Sequence, residues 1–242
     1  MSYRLGVDVG GTFTDLVLID EDDGNITTAK VLSTPSDSSI GVLNGIDKLC
    51  TAVERTKISH VMHGTTVATN AVLTGSGANV GLITTRGYKQ ILHIARSHVP
   101  GGLGAWINYK KSRPIAPLKW TIEATERMDN RGEVVTSLDE DELRQSLSVL
   151  RDGNVEAVTV ALINSFANGA HERRVREIVE QELPGIAVSI SSEVIPEMQE
   201  YERTITAVIN SYVRPSVERY VAKLRSEMDQ TMDGATLNIL RS

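Results

Sequence analysis

The first thirty residues constrain this chain more than any later stretch. Three short apolar, β-branched blocks, Tyr3–Val9, Phe13–Ile19 and Ile26–Leu32, follow one another with turn residues between them. Blocks of this length and composition form strands rather than helices. Gly10 and Gly11 bring the first two close enough for a hairpin, and the acidic run Asp22, Asp23, Gly24, Asn25 turns the chain into the third. The expectation is an antiparallel three-strand meander, which excludes an all-helical fold from the outset.

The texture then changes to alternating helix and strand. Ser36 or Asp37 can cap a helix carrying Ile40, Leu43, Ile46, Leu49 and Val53, and Ser59–Met62 follows as a buried strand. A helix over Thr66–Leu73, closed by Gly75 and Gly77, leads to a strand over Ala78–Ile83. The stretch Val99–Pro117, rich in glycine and proline without a period, reads as a long irregular excursion. Regularity resumes with a strand over Trp120–Arg127 and a helix opened by a Ser137/Glu140 capping box. Val155–Ile163 is a buried strand, His171–Leu183 a helix and Ile186–Ile190 a strand. A long helix from Glu200 to Met228 is expected to kink or divide at Pro215, and Ala235–Leu240 closes the chain as a strand. Three antiparallel strands followed by βα units make an α/β plan with a mixed sheet.

With 242 residues, one large or two small domains fit. No apolar run reaches the roughly 18 residues of a membrane span and no signal segment precedes the first strand, so a cytoplasmic location without a membrane partner is expected. A net charge of −6 and 4% aromatic residues provide neither a basic stripe nor a stacking platform, which argues against nucleic acid. Cys50 is the single cysteine and shares a helical stripe with Ile46, Leu49 and Val53, a buried rather than catalytic setting.

Three segments can carry chemistry. Asp8 to Asp15 puts a carboxylate at a strand end beside two glycines and the hydroxyls of Thr12 and Thr14, a combination suited to metal and phosphate; a tight hairpin with capping threonines is the alternative. His63 to Asn70 gathers hydroxyls and free N–H groups at a helix start, which suits an anion or a plain helix cap beside a satisfied histidine. Ser192 to Thr204 places Glu200, Tyr201, Glu202 and Arg203 at a strand-to-helix crossover, either lining a cleft or forming a solvated first turn. The residues His171, Arg173 and Arg174 read as surface positions.

Taken in order, GGTFTD (10–15), HGTTVATNA (63–71), LITTRGYKQILHIAR (82–96), ERMDNRGE (126–133), EYERT (200–204) and NSYVRP (210–215) resemble the N-terminal region of the hydantoinase A/5-oxoprolinase family. That family comprises ATP-dependent cyclic-amide hydrolases and the related subunits of acetone and acetophenone carboxylases. The resemblance implies a ribonuclease-H-like, actin and sugar-kinase type mixed sheet, here the N-terminal lobe only. It divides the chain into a lobe over 1–191 and a crossover helix with the start of a second, truncated lobe over 192–242. Carried over, Gly10, Gly11, Thr12 and Thr14 become a phosphate loop, with Thr65 and Thr66 also nucleotide-binding. Asp8 becomes the Mg²⁺ carboxylate, and ATP and Mg²⁺ are the implied cofactors.

The implied reaction is phosphorylation of the ring amide of a hydantoin- or 5-oxoproline-like substrate before hydrolysis, with no residue of this chain identifiable as catalytic. A ketone- or bicarbonate-phosphorylating carboxylase subunit and a non-catalytic single-lobe binding or assembly protein are the alternatives. The implied partner is a second hydantoinase-type subunit or a C-terminal lobe. The segment Glu200–Leu240 is expected to expose apolar area at Tyr212, Val213, Val217, Tyr220 and Leu224.

Overall fold

The computed structural model describes residues 2–34, 37–51, 53–96, 112–232 and 234–240. Two compact units emerge, one from residues 1–76 with 216–242 and the other from 77–215.

The first unit is built on the expected meander. Strands β1 (Tyr3–Val9), β2 (Phe13–Asp20) and β3 (Ile26–Leu32) pair antiparallel in sequence, with Asp8 opposite Asp15 and Val9 opposite Thr14. Strand β4 (Ile58–Thr65) joins parallel to β1 with Asp8 opposite Gly64, and the last strand, Thr236–Ile239, joins parallel to β4. The resulting order, last strand–β4–β1–β2–β3, is that of the ribonuclease-H-like sheet in actin-type ATPases, so the fold class is as expected.

Alternation along β1 turns Leu5, Val7 and Val9 to one face and Asp8 to the other. The apolar face is covered by helix α1 (Ser38–Leu49) through Val42, Ile46 and Leu49, and by Leu224 and Met228 of the long C-terminal helix. Helix α1 can lie this close because residue 45 is glycine: a Cβ there would overlap the Leu16 side chain. Asp37 caps α1, accepting from the Ser39 amide at 3.0 Å; Ser36, the other expected cap, lies outside the described residues.

The second unit is a four-stranded parallel sheet. Strand β5 (Val80–Thr85) is flanked by β6 (Thr121–Ala124) and β9 (Ala157–Ala161), and β10 (Ala187–Ile190) pairs with β9. Between β6 and β9 a two-stranded ribbon forms from β7 (Arg127–Met128) and β8 (Val134–Thr136). Every residue of β5 and β9 is buried, as a strand covered on both faces requires. One cover includes Leu143, Leu147 and Leu150 with Val175 and Ile178; on the other, Val80, Leu82 and Ala161 cluster with Val208 of the long helix.

By their contacts residues 192–215 fall in the second unit, where the first half of the long helix lays Val208 into the core. Several expectations need correction. That helix runs unbroken from Glu200 to Thr231 through Pro215, although the change from one unit to the other falls at this proline. Tyr220 and Leu224 are not exposed; both are buried, Leu224 within the first unit's core. The strand expected over Trp120–Arg127 is interrupted after Ala124, and the next helix is capped by Asp139, not Ser137. Most of the Val99–Pro117 excursion lies outside the described residues.

Within the second unit the helix Glu140–Ser146 is tied to the helix Ala170–Glu182 by a charged clamp. Arg174 donates to both Glu140 carboxylate oxygens at 2.7 and 2.8 Å, and Arg144 adds a third bond at 2.9 Å. The Arg174 guanidinium, seconded by Arg144, holds the Glu140 carboxyl down at about 2. A carboxyl depressed in the folded state contributes stability above its unfolded value near 4.5 and loses it as the pH falls toward 2. Thermal melts between pH 6 and 2 should therefore fall less steeply for Glu140→Gln than for the parent chain. Parallel curves would show that the exposed clamp contributes nothing.

Candidate functional site

The β1–β2 turn is held from below. The Gly10 amide donates to the Phe13 carbonyl at 3.0 Å, the Ser33 amide to the Thr12 carbonyl at 2.9 Å, and the Ser33 hydroxyl to the Gly10 carbonyl at 2.9 Å. Those bonds leave the Gly11 and Thr12 N–H groups with no hydrogen-bond partner among the described residues, on an exposed turn. Two adjacent outward N–H groups without side-chain cover form a surface that an oxyanion can occupy.

Thr14, expected among the phosphate donors, is fully buried and bonds the Ser33 hydroxyl at 2.9 Å. It supports the turn and does not face solvent. The pleat alternation decides this: the residue opposite inward-facing Val9 points inward as well.

Thr65 and Thr66 lie beside the turn because β4 is the parallel neighbour of β1. Both Thr66 donors, amide and hydroxyl, go to the Val9 carbonyl at 3.1 and 3.0 Å, and the Thr65 hydroxyl accepts from the Val67 amide at 3.2 Å. These bonds weld helix α2 (Val67–Thr74) to the end of β1, and Gly75 ends that helix in the left-handed conformation at φ 69°. His63, on β4 two residues before Thr65, is buried, and its Nε2 sits 2.7 Å from the Tyr220 hydroxyl. Burial pushes the imidazole below its ordinary range and the phenol above its own, so both stay neutral.

Asp8 is exposed on the open face of the sheet. The residue opposite it is glycine, where a Cβ would crowd the carboxylate at 3.3 Å from Asp8 Oδ1. Its antiparallel neighbour Asp15 is paired with Lys30 at 3.0 Å. Among the described residues no three His, Cys, Asp or Glu side chains gather as a metal cage. One exposed carboxylate beside a turn with two unpartnered N–H groups is a donor set compatible with Mg²⁺, which keeps most of its water and is commonly shared between a carboxylate and substrate phosphates.

On the other side of the turn lies a cleft of about 670 Å³, formed wholly within the first unit. Gly10 and Gly11 line it together with Asn70 of α2, Asp37 at the start of α1, and Arg219 and Lys223 of the long helix. Asp8, Thr12, Thr14, Thr65 and Thr66 are not on its walls. Of the expected residues, then, Asp8 and the Gly10–Thr12 turn stand together, Thr65 and Thr66 brace them, and Thr14 lies beneath.

In the Ser192–Thr204 segment, Glu200, Tyr201 and Glu202 line an open hollow with Arg96 and Gln199, as one of the two readings expected, whereas Arg203 turns inward. Arg203 is 1% exposed, and its guanidinium donates to the Leu162 carbonyl at 2.8 Å, the Glu197 carbonyl at 2.6 Å and the Ser191 hydroxyl at 3.1 Å. Glu193 and Glu202 are surface ion-pair partners of Arg176 and Arg96. His171, read as a surface position, sets its Nδ1 2.8 Å from the buried Glu126 carboxylate, whose other oxygen takes the Thr85 hydroxyl. A glutamate ending an apolar strand was the available signal for this cluster. Cys50 is half-buried, and burial raises its thiol, in keeping with a packing role.

Known proteins share both the sequence pattern and this fold. Residues 4–183 match the hydantoinase/oxoprolinase N-terminal region. Caprolactamase subunit alpha of Pseudomonas jessenii is 33% identical over 92% of this chain and 33% of its own length. The acetophenone carboxylase gamma subunit of Aromatoleum aromaticum is 35% identical over 92% of this chain and 33% of its own. The crystal structure of the ATP-dependent caprolactamase from Pseudomonas jessenii superposes with a TM-score of 0.86 at 31% identity, covering 98% of this chain and 35% of that one. The chain thus spans about a third of the length of these relatives. Among the described residues no helix is long and apolar enough to cross a membrane.

Proposed function

The chain belongs to the hydantoinase/oxoprolinase N-terminal region family, and from that premise we propose that it forms the N-terminal part of an ATP-dependent enzyme that phosphorylates the amide of a cyclic substrate before hydrolysis. The observation that carries the reading is the exposed Gly11 and Thr12 amide pair beside Asp8, at the end of the sheet's central strand.

An amide carbon is a poor electrophile. Transfer of the γ-phosphoryl group to the amide oxygen, with release of ADP, converts it into an imidate phosphate. Water then adds at that carbon, the ring C–N bond breaks with the nitrogen taking up a proton, and a second water hydrolyses the acyl phosphate so formed to carboxylate and free phosphate. Phosphoryl transfer needs positioned donors and countercharge more than covalent help from the protein. The outward amides of Gly11 and Thr12 would receive phosphate oxygens, and Gly64 leaves Asp8 clear to hold a hydrated Mg²⁺. That ion, when bound, neutralises charge migrating between the β- and γ-phosphates. Thr65 and Thr66 position the turn by fixing Val9.

A second reading, a carboxylase subunit that activates a ketone or bicarbonate, draws on the 35% identity to the acetophenone carboxylase gamma subunit. Either activity belongs to an assembly that includes the remaining length of the family polypeptide or a partner subunit. ADP release by such an assembly separates the two. Stimulation by hydantoin, 5-oxoproline or caprolactam is the expected result. Stimulation by acetone or acetophenone with bicarbonate would transfer the assignment to the second reading, and no response to either class would overturn both.

A further inference from the structure

We propose that the second unit carries a proton-accepting centre, in which Glu126 orients His171 to take a proton from a small molecule at the carboxyl edge of the parallel sheet. It rests on the reaction proposed above only in that each version of it consumes a base. The water that adds to the activated carbon gives up a proton, and so does a ketone that enolises.

Sheet topology places the pair. The strand order β10–β9–β5–β6 takes the chain from β5 to one side and then back across β5 to β9 and β10. Connections from the carboxyl ends of β5 and β9 therefore leave in opposite directions, and open parallel sheets bind their ligands in the crevice at such a reversal. Thr85 is the last residue of β5, and Ile163 follows the end of β9 by two residues. Glu126 follows the end of β6 by two, and His171 stands in the first turn of the helix Ala170–Glu182 that comes after β9. The Ile163 amide donates to the Thr85 hydroxyl at 2.9 Å, across the reversal, and that hydroxyl donates to Glu126 Oε1.

These bonds fix what each group can do. With Oε1 taken by Thr85, Glu126 turns Oε2 to His171 Nδ1 at 2.8 Å. The carboxylate is fully enclosed, and among the described residues no arginine or lysine pairs with it, which leaves His171 as its countercharge. A carboxylate so placed keeps the imidazole proton on Nδ1 and leaves the Nε2 lone pair as the basic site. The His171 side chain is 13% exposed, and Nε2, which makes no hydrogen bond among the described residues, is not enclosed. A pair kept for packing alone would enclose both ring nitrogens. When Nε2 takes a proton, Nδ1–H stays on Glu126, the carboxylate balances the imidazolium, and the donor is left as its conjugate base. His171 is the proton acceptor and Glu126 a positioning residue.

Ring nitrogen-15 resonances of the 242-residue chain, read with His171 neutral, should show its proton on Nδ1, whereas a free histidine carries it mainly on Nε2. Glu126→Gln should reverse this. Thr85 keeps the carboxamide oxygen, which turns the NH₂ group toward Nδ1 and forces the proton to Nε2. Acylation of His171 by diethyl pyrocarbonate, a probe of an unprotonated and accessible ring nitrogen, should then be lost. In the complete assembly His171→Asn still offers Glu126 a donor but has no base. It should melt near the parent, yet lower kcat for ADP release at least ~100-fold with KM little changed, the scale of general base catalysis. Asparagine would rescue a merely structural pair. A proton on Nε2 in the parent, undiminished acylation in Glu126→Gln, or turnover near the parent level in His171→Asn would each overturn the proposal. If neither cyclic amides nor ketones stimulate the parent assembly, the proposed reaction fails by itself, and the tautomer and the acylation decide the proton-accepting centre in the chain alone.

Discussion

Replacing Arg203 by methionine is expected to destabilise the chain by about 3–5 kcal/mol, the range for removing one member of a buried charge network. Arg203 and Glu172 are both buried, and they meet through a serine instead of directly. Glu172 Oε1 accepts from the Leu162 amide at 2.8 Å and the Ser191 hydroxyl at 2.6 Å, and its Oε2 accepts from the Ser192 amide at 2.8 Å. The Ser191 oxygen in turn accepts from Arg203 Nε at 3.1 Å, so the hydroxyl relays charge between guanidinium and carboxylate. Because its hydrogen points to Glu172, the contact with Ser165 at 3.2 Å must have Ser165 as donor. Burial works against the Arg203 charge and Glu172 foremost supports it, which is the electrostatic signature of a dependent pair.

Methionine fills similar volume but removes the guanidinium donors to the Leu162 and Glu197 carbonyls, the former keeping only the long bond from the Ser165 amide, and leaves Glu172 without its countercharge. Lysine cannot rescue the site, since a single ammonium cannot reproduce the forked donors. In urea unfolding, Arg203→Met and Glu172→Gln should each be severe, and the double variant should cost clearly less than their sum. A loss below about 1 kcal/mol for Arg203→Met would show that the network is not coupled to folding.

How far this was legible in the sequence depends on the range of each signal. Local periodicity suffices for the meander, because three strands joined by short turns pair with their neighbours in sequence. It also suffices for Asp8 and the glycine turn, whose neighbours are consecutive residues. Thr14 shows the limit: alternation already placed it on the inward face with Val9, but the pull of a hydroxyl beside two glycines outweighed the pleat. Arg203 and His171 were beyond reach for another reason. Their partners, Leu162 and Glu126, lie 41 and 45 residues away, and nothing in a local window tells a guanidinium at a helix start that it will be enclosed. The long helix fails in the same manner. Its apolar stripes were readable, but that the sheet of the first unit covers Leu224 follows only from the pairing of the last strand with β4.

Asp8→Ala and Gly11→Val, made in the complete family enzyme, are each expected to lower ATP turnover by at least ~100-fold, the scale for losing one preorganised charge-stabilising group. The two changes act on different parts of the site and should leave different traces in stability. Asp8 is exposed and faces Asp15 across the antiparallel pair, so its removal relieves a like-charge contact. The alanine variant should melt no lower than the parent. A Cβ on Gly11 meets the Asn70 side-chain amide at an ordinary van der Waals distance of 3.6 Å, so the fold should tolerate valine, while its branches stand where an anion must approach the Gly11 and Thr12 amides. Gly11→Val should therefore fold and fail to bind Mg·ATP. Thr14→Val supplies the contrast, because it removes the buried bond to Ser33 beneath the turn and should lower the melting temperature more than either. Loss of turnover without loss of stability at Asp8 is the mark of a carboxylate kept for its ligand. If turnover stayed near the parent level in both variants, the turn would be a plain hairpin, and the exposed amides beside Asp8 would have no part in nucleotide chemistry.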